Sequence, residues 1–525
     1  MKMEFRVIPS NERVPYAGKD LVYLQADNWN DYSFVTMFDL YLFDDQGDKY
    51  TIGKTKIGFL GQTEEQTTLS KLPKTFTGLS SDYFSVGQDF EFYEEIAKLP
   101  NDIGRKVLQV LNDIVLSPET IEQINDEVVF HTSLLRSVSL SLIKGQFRRG
   151  LERGKRHSSF DFRFEQGGPN FPSPLSMDFT VFVESKPHTN IHAIIGRNGV
   201  GKTTLLNDMI SVLTNHSNVK SRFIDQKEND TEIDDEYFHA LVSVSFSAFD
   251  PFKPPKERSK KSKDDPPSYY YVGLKDENGG HLDDAGLKAK TIEALVSCFS
   301  NERKTQSWLK VIRILGLDEQ FASKNAESLL DTYNSCREKK RLSANFSAHN
   351  FRDMFGKAIK NIWSDMSSGH AIVLLTMSRL VATVEEKTLV LLDEPEGHLH
   401  PPLLSAFLRA LSELLQGQNG VGIIATHSPV VLQELPRSCV WKIFRTGEEF
   451  SSSRPKIETF GENVGVLTNE VFGLELERSG FHDLLASSVV EGLNYSQVLD
   501  SYNGQIGFEG RAILKAMIAD RDRDH

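Results

Sequence analysis

The sequence predicts an α/β fold with a mixed, mostly parallel sheet, a helical insertion and a β-rich N-terminal region. A glycine-rich segment, Gly196–Thr203, stands between an apolar run and a helix. Helices and buried strands alternate from Ala371 to Val431, which is typical of a parallel α/β core. Short β-type runs fill the chain up to about residue 95. Because 525 residues exceed the size at which one core stops growing, we expect at least two domains.

Composition and charge exclude several classes of protein. Charged residues make up 25% and hydrophobic residues 39%, which is ordinary for a globular chain. A net charge of −13 excludes a general attraction to nucleic acid or anionic membranes, so such contacts would need a local basic patch. The start MKMEFRVIPS lacks the apolar core of a signal peptide, and no apolar run is long enough to span a bilayer. Scattered cysteines suit a reducing compartment, so we expect a cytoplasmic protein without a membrane partner.

The N-terminal region is expected to combine strands with helices. Strand-type runs cover Ser33–Phe43 and Tyr50–Phe59, with turn signals between them. Helical patterns follow at Asp102–Val115 and at Glu119–Ile143, the second of them interrupted and poorly periodic. A basic stretch, Lys144–His157, then precedes the central part of the chain.

The middle of the chain contains one buried strand and a long helical stretch. Ala240–Phe246 is predicted to be the strand. Pro254–Pro267 is charged and rich in proline, so we expect a mobile surface loop there. Leu287–Trp363 is mostly helical in pattern, but it lacks the sustained heptads of a coiled-coil arm.

The segment Gly196–Thr203, GRNGVGKT, fits the pattern G-x-x-x-x-G-K-[ST] at every fixed position. We call it the phosphate-binding loop, because its backbone N–H groups are expected to wrap a triphosphate at the positive end of the following helix. Lys202 would reach the β- and γ-phosphates, and the Thr203 hydroxyl would ligate Mg²⁺. The alternative is an ordinary glycine-rich turn before a core helix. The predicted nucleotide-binding residues are Gly196, Arg197, Asn198, Gly199, Val200, Gly201, Lys202, Thr203 and Thr204.

A continuous apolar run, TLVLLDEP at Thr388–Pro395, predicts a central parallel strand buried on both faces. The strand delivers Asp393 and Glu394 to its carboxyl end, where open α/β sheets bind their ligands. Asp393 is expected to hold Mg²⁺, and Glu394 to polarise the water that attacks the γ-phosphate. Acidic residues after a strand are surface groups in contact with solvent as often as they are functional groups. The phosphate-binding loop earlier in the chain favours a functional role for Asp393 and Glu394.

Two further segments carry candidate site residues. Gly422–Pro429, GIIATHSP, predicts another buried strand that ends in His427, which is suited to contact the γ-phosphate or the attacking water. Met366–His370, MSSGH, begins an apolar helix, and serine hydroxyls with a glycine N–H at such a start make an anion site. Taken alone, the first is more often a structural histidine and the second an ordinary serine N-cap.

With these four segments in this order, the chain resembles the ABC-type ATPases, in the soluble branch that includes structural-maintenance-of-chromosomes, RecF-like and overcoming-lysogenization proteins. GRNGVGKTT matches the family's Walker A form with Asn198 in its usual place, and His427 stands at the switch histidine. The resemblance implies ATP and Mg²⁺ as ligands, catalytic roles for Glu394 and His427, and a head-to-tail dimer. In that dimer the signature motif of one copy closes on the γ-phosphate held by Lys202 of the other. The implied signature residues are Ser367, Ser368 and Gly369.

This resemblance suggests a division of the chain into six parts. We expect 1–180 to be a β-rich and helical region contributing to the ATPase lobe, 181–250 the phosphate-binding half of the core, 251–285 a charged loop with a strand, 286–363 a helical insertion, 364–440 the half with the signature, acidic strand and switch histidine, and 441–525 a C-terminal extension that could bind a partner.

The chain departs from the family pattern in two places. The strand at Ala240–Phe246 leads into SFSAFDPF, which has no glutamine, so the ligand of the family's glutamine loop stays unassigned. EPEGHLHPP, Glu394–Pro402, looks like the variant found in overcoming-lysogenization nucleases and related bacterial defence ATPases. His398 and His400 have a spacing open to metal ligands, but no third ligand is nearby, so a structural or dimer-interface role is favoured.

The flanking segments Phe76–Ile96 and Glu458–His482 look like parts of the ATPase subunit of Septu-type and retron-associated phage-defence systems. That resemblance implies a sensor or regulatory ATPase, as a homodimer or a higher oligomer of dimers, that controls a separately encoded HNH nuclease. A reverse transcriptase with the RNA–DNA of a retron, or DNA itself, would be further partners.

Three other functions compete with this one. A DNA-repair or chromosome-maintenance ATPase would need a basic face, which only Lys144–His157 and Lys253–Lys263 could supply. A transporter's nucleotide-binding subunit fits less well, because the N-terminal region is long and the glutamine is missing. A Toprim-like nuclease site at Glu491 with Asp520 and Asp522 is disfavoured, because no strand precedes the aspartates and a chain terminus does not fix metal ligands. Any cleavage is therefore expected from a partner.

Overall fold

The computed structural model describes residues 3–27, 34–136, 138–154, 157–166, 175–183, 185–214, 221–227, 230–246, 253–258, 266–276, 279–341, 348–446, 449–476, 480–490 and 492–523. The strands are β1 (Glu4–Ile8), β2 (Leu21–Ala26), β3 (Met37–Phe43), β4 (Lys49–Phe59), β5 (Thr75–Phe76), β6 (Tyr83–Gly87), β7 (Phe160–Gln166), β8 (Leu175–Val181), β9 (Ile191–Ile195), β10 (Ser221–Asp225), β11 (Thr231–Glu232), β12 (Ala240–Ser245), β13 (Ser268–Gly273), β14 (Thr388–Asp393), β15 (Val421–Thr426), β16 (Val440–Thr446) and β17 (Glu449–Ser453).

The helices are α1 (Thr68–Lys71), α2 (Phe90–Lys98), α3 (Ile103–Val110), α4 (Thr120–Ile124), α5 (Leu140–Leu142), α6 (Arg148–Leu151), α7 (Lys202–Thr214), α8 (Asp284–Phe299), α9 (Glu302–Leu315), α10 (Glu319–Ala322), α11 (Ser328–Arg341), α12 (Ala348–Ala358), α13 (Lys360–Ser364), α14 (Ser368–Thr383), α15 (Pro401–Gly417), α16 (Pro429–Gln433), α17 (Val464–Leu476), α18 (Phe481–Val490), α19 (Tyr495–Ser501) and α20 (Phe508–Arg523). Among the helices of these ranges, none combines the length and apolar character needed to span a bilayer.

The predicted α/β fold with parallel and mixed sheets is confirmed. The largest sheet has the order β13-β12-β14-β15-β9-β16-β17, in which all neighbours are parallel except β16 and β17. Every residue of β9, β14 and β15 is buried, as expected for parallel strands covered on both faces. Because β15 lies between β14 and β9, the loops after these three strands meet at one edge of the sheet. That edge carries the candidate site.

The N-terminal region has its own sheet and core. Its strand order is β5-β1-β2-β3-β4-β6, with β1 and β2 parallel and the other pairs antiparallel. The core of this sheet includes Phe5 from β1 and Phe92 from α2, both fully buried. A third, antiparallel sheet, β11-β10-β7-β8, has every second residue of β7 buried, so its alternating phenylalanines face the core.

Two N-terminal helices are shorter than their patterns predict. The helix expected at Asp102–Val115 ends at Val110, and Asn112 adopts a left-handed φ of 50°. The buried Asp113 carboxylate accepts hydrogen bonds from the backbone N–H of Val115 at 2.9 Å and from the Tyr93 hydroxyl at 3.0 Å. A tertiary contact with α2 therefore replaces the helix's last turn. The pattern at 119–143 is likewise divided, into α4, a π-helical turn and α5.

The described part of the segment predicted as a mobile loop runs beside β13. Arg258 and Tyr269 exchange two backbone hydrogen bonds, at 3.0 and 2.9 Å, and the Arg258 guanidinium donates to the carbonyl of Thr214 at 3.0 Å. The Glu257 carboxylate accepts the N–H of Tyr271 at 3.2 Å. Residues 259–265 lie outside the described residues, and up to Arg258 the segment is held by the sheet.

A buried ion pair joins the N-terminal region to the connection between α14 and β14. The Glu386 side chain is fully buried and pairs with Arg149 of α6. The backbone N–H of Gln146 donates to the same carboxylate at 2.7 Å, and the Ser141 hydroxyl donates to Glu385 at 2.9 Å. Burial raises the pKa of Glu386 although Arg149 lies beside it. The charge of Glu386, which lies just before β14 of the largest sheet, is therefore compensated by Arg149 and the Gln146 N–H of the N-terminal region.

We expect Arg149→Leu to lower the free energy of unfolding by about 3 kcal/mol, because removing one partner leaves a buried charge uncompensated. Chemical denaturation at neutral pH would measure the change. A matched control is Arg222→Leu, which removes an ion pair to Glu165 whose arginine side chain is 59% exposed and should cost under about 1 kcal/mol. Equal losses in the two variants would contradict the assignment.

His192 on β9 makes the fold sensitive to acid. Its ring is fully buried against Phe179, and burial, with a smaller contribution from Arg454, lowers its pKa to about 3. The unfolded chain binds the proton below about pH 6.5 and the folded chain does not, so stability is lost as the pH falls from 6.5 towards 3. We expect His192→Phe to reduce that loss by up to about 2 kcal/mol between pH 7 and pH 5, measured by denaturation at both values. The exposed His188 gives the control, since His188→Gln should keep the parental pH dependence.

Candidate active site

The phosphate-binding loop connects β9 to α7 at the ligand-binding edge of the largest sheet. Gly199 and Gly201 have φ of 77° and 106°, a region that favours glycine; this explains the fixed glycine of the motif at position 201, whereas position 199 is variable in the motif. α7 begins at Lys202, so the positive end of the helix points into the loop. This is the strand–loop–helix arrangement that the motif predicts.

Lys202 is almost fully buried and folded back on its own loop. Its Nζ atom donates to the carbonyl oxygens of Gly196 and Arg197, both at 3.0 Å, and lies 3.6 Å from Glu394 Oε1. Burial lowers the pKa of Lys202, and the carboxylate of Glu394 opposes that shift. The loop carbonyls and the Glu394 carboxylate therefore stabilise the positive charge of Lys202. A bound triphosphate would take over that role.

Thr203 and Asp393, the two predicted Mg²⁺ ligands, lie next to each other. The Thr203 hydroxyl donates to Asp393 Oδ2 at 2.9 Å. A hydroxyl and a carboxylate are oxygen donors of the kind Mg²⁺ takes, and nucleotide phosphates and water usually complete its coordination. The described residues contain no cluster of three or more acidic, histidine or cysteine side chains that could hold a metal ion. The residues present fit Mg²⁺, which would neutralise phosphate charge there.

Glu394 stands at the end of β14 in a left-handed conformation, with φ 47° and ψ 58°. Its backbone N–H donates to the carbonyl of Ala425 at 2.9 Å, which fixes it against β15. Its carboxylate is 35% exposed and lies 3.6 Å both from Lys202 Nζ and from His427 Nδ1. A strained residue with an accessible carboxylate is what a group that activates water needs.

A second carboxylate, Glu396, holds the segment that carries His427. Glu396 Oε1 accepts the Thr426 hydroxyl at 2.6 Å and the backbone N–H of His427 at 2.7 Å, and it lies 3.2 Å from His427 Nδ1. The sequence interpretation missed this residue. Its position two residues after Glu394, in a segment with two histidines, was the available signal.

The signature residues begin α14 as predicted. Ser367 is the N-cap; its hydroxyl accepts the N–H of His370 and is 2.9 Å from His370 Nδ1. A Cβ on Gly369 would lie 2.5 Å from the carbonyl oxygen of His398, so only glycine allows this approach. Within one chain, the close approach of Gly369 to His398 places the start of α14 against the segment that follows Glu394.

The two histidines of EPEGHLHPP have partners inside the chain. His398 Nε2 lies 3.2 Å from the carbonyl oxygen of Phe246, at the end of the region after β12. His400 Nε2 lies 2.9 Å from Asp318 Oδ2, the N-cap of α10. Both contacts suit the structural role that the sequence favours. Residues 247–252, where the glutamine loop was sought, lie outside the described residues.

Two of the residues compared with a Toprim site lie on a helix and not on a strand. Asp520 and Asp522 lie on α20, where Asp522 pairs with Arg521 at 2.7 Å. Glu491 lies outside the described residues.

Parts of the chain are similar to a known domain family and to solved structures. Residues 211–433 match the family described as "AAA domain, putative AbiEii toxin, Type IV TA system", a range that includes Asp393, Glu394 and His427. The ADP conformation of an ATP-binding cassette of an ABC transporter is 14% identical, covering 61% of this chain and 99% of that chain with a TM-score of 0.30. The SMC head domain from Thermotoga maritima is 12% identical, covering 56% and 98%, with a TM-score of 0.27.

One relative extends over the whole chain. Protein ea59 of Escherichia phage lambda is 49% identical over 523 residues, which is 99% of either protein. This similarity shows that the chain belongs to the family of Protein ea59, and residues 211–433 are similar to the AAA domain family.

Proposed function

We propose that the protein hydrolyses ATP with Mg²⁺ and uses the reaction to switch an assembly between two states. The observation that carries this proposal is the meeting of three loops at one sheet edge. The Thr203 hydroxyl lies 2.9 Å from Asp393 Oδ2, and Glu394 Oε1 lies 3.6 Å both from Lys202 Nζ and from His427 Nδ1.

Each group has a chemical task in this reaction. Lys202 leaves its loop carbonyls and binds the β- and γ-phosphates, while the helix end of α7 faces the anion. Glu394 accepts a proton from the water that attacks the γ-phosphorus, and His427 contacts the γ-phosphate or that water. The P–O bond to the leaving ADP breaks as the new P–O bond forms.

A second copy of the chain completes the site in this proposal. Ser367 and Ser368 at the start of α14, with the nearby N–H groups of the first turn, are suited to bind an anion. The family resemblance places such a start on the γ-phosphate of a facing copy. ATP then joins two copies as a homodimer, alone or within a larger oligomer, and hydrolysis separates them.

The cellular role proposed is regulatory control of a separately encoded HNH nuclease in antiphage defence. The flanking segments Phe76–Ile96 and Glu458–His482 support it by their likeness to Septu-type and retron-associated ATPase subunits. The family description's reference to a toxin of a toxin–antitoxin system is compatible with a growth-arresting or defensive outcome. A reverse transcriptase with its RNA–DNA product is a further proposed partner.

A DNA-clamping function has less support from the structure. Within the basic stretch, Arg149 pairs with Glu386, Arg148 lies 2.6 Å from Glu152, and Arg153 donates to the carbonyl of Ala97 at 2.8 Å. These cations are engaged inside the chain, so they contribute less to a surface for phosphates.

Phosphate release by the full chain, with and without Mg²⁺, tests the proposed chemistry, and light scattering with a non-hydrolysable ATP analogue tests the dimer. We expect Mg²⁺-dependent turnover and a doubling of mass. A protein that neither binds nor turns over ATP would contradict the proposed ATPase activity. Turnover by a monomer would contradict the proposed dimer. Co-purification with an HNH nuclease encoded beside the gene tests the partner; permease genes there would instead favour a transporter.

A further inference from the structure

Glu396 occupies a buried position between two parts of the site. It lies in the 3₁₀ turn Pro395–His398, directly after Glu394, and its side chain is only 8% exposed. A carboxylate this buried is unfavourable unless hydrogen bonds or a positive partner compensate it. Its surroundings therefore indicate what it is for.

One of its oxygens fixes the end of β15. Glu396 Oε1 accepts the hydroxyl of Thr426 at 2.6 Å and the N–H of His427 at 2.7 Å, and the Thr426 hydroxyl in turn accepts the N–H of Ser428 at 2.9 Å. These bonds set the backbone direction at His427. They connect the acidic loop to the histidine loop without passing through Glu394.

The imidazole of His427 lies close to the Glu396 carboxylate, but its Nδ1 atom does not form an aligned hydrogen bond with it. Nδ1 lies 3.2 Å from Glu396 Oε1 and 3.6 Å from Glu394 Oε1, but it has no aligned hydrogen-bond partner among the residues the structure describes. Glu396 Oε2 is also buried without a partner there. A buried polar atom without a partner is costly, and a small rotation of the ring would align Nδ1 with Glu396 Oε1, which is already 3.2 Å away.

Resting on the proposed ATPase function, we propose that Glu396 is a positioning residue that takes the Nδ1–H of His427. The proton is then fixed on Nδ1, and the opposite ring nitrogen, Nε2, is directed to the γ-phosphate or the attacking water. With His427 held by Glu396, the Glu394 carboxylate remains available to accept the proton of that water.

A simpler alternative is that Glu396 only stabilises the turn. Glu396→Gln separates the two roles, because the amide oxygen can still accept from Thr426 and His427 N–H while the negative charge opposite Nδ1 is lost. Glu396→Asp keeps the charge on a shorter side chain. Glu413→Gln is the control, since Glu413 lies on α15 and pairs with Lys310 on the surface.

Steady-state phosphate release and thermal unfolding of the full chain test the proposal. For Glu396→Gln we expect kcat to fall by about 10- to 100-fold, as for other partners of a functional histidine, with KM for ATP and Tm near those of the parent. Glu396→Asp should recover part of kcat. Adding His427→Gln to Glu396→Gln should reduce kcat by much less than the product of the two single effects.

The outcomes distinguish the two proposals. Parental kcat in Glu396→Gln, or independent effects in the double variant, would overturn the role of Glu396 and leave the ATPase intact. A lowered Tm with no recovery in Glu396→Asp would assign Glu396 to the turn alone, which also overturns it. A parent protein that neither binds nor hydrolyses ATP would overturn the proposed function first.

Discussion

Lys202→Ala is expected to abolish productive ATP binding. The Nζ atom is the cation nearest the phosphate-binding loop carbonyls, and charged hydrogen bonds to phosphates contribute about 1.5–3 kcal/mol each. Losing two of them weakens binding by about 100-fold or more. Calorimetric titration with Mg-ATP would measure the change in Kd. Because Lys202 is nearly fully buried and already bonded to its own loop, the same variant is also expected to free the loop backbone.

Two comparisons make this test specific. Lys310→Ala removes an exposed lysine on α9 that pairs with Glu413, and it should bind ATP like the parent. Tm should be measured for both, so that loss of binding is not confused with unfolding. If Lys202→Ala keeps parental affinity, the phosphate-binding assignment of Gly196–Thr203 is wrong.

Glu394→Gln is expected to stop hydrolysis while keeping ATP bound. The amide cannot accept the proton of the attacking water, and loss of such a group lowers rates by about 10²–10⁴-fold. Neutralising Glu394 also removes a carboxylate 3.6 Å from Lys202 Nζ, so the lysine is freer to bind phosphate. We expect light scattering to show a dimer that persists with Mg-ATP, where the parent returns to monomer as ATP is consumed.

The trapped dimer has an internal control. Adding Lys202→Ala to Glu394→Gln should return the protein to a monomer, because the dimer depends on bound ATP. Parental turnover in Glu394→Gln would show that another group activates the water. A dimer that persists in the double variant would show that association does not need nucleotide.

The positions of the candidate site residues at strand ends could be predicted from the sequence because each of these signals is local. An all-apolar strand followed at once by Asp393 and Glu394, or by His427, places those groups at a sheet edge whatever the rest of the chain does. The side-by-side order of β14, β15 and β9 is a finding of the structure, because no local pattern in the sequence gives it.

Residues whose roles depend on distant partners could not be found in this way. Glu396 is 31 residues from His427, and Glu386 is 240 residues from Gln146, so no short pattern joins either pair. The early end of α3 has the same origin, since the Asp113 carboxylate is engaged by Tyr93 on another helix. Burial of a carboxylate is decided by tertiary packing, which local periodicity does not encode.

The Glu386 ion pair has a practical consequence for dissecting the molecule. A shortened chain beginning near Phe160 would contain the whole largest sheet, yet it would lack Arg149 and the Gln146 N–H that satisfy this carboxylate. Glu386 would then meet solvent or protonate, three residues after α14 ends and two before β14 begins. Such a shortened chain should therefore be redesigned at this position, for example with Glu386→Gln, before it is compared with the full chain.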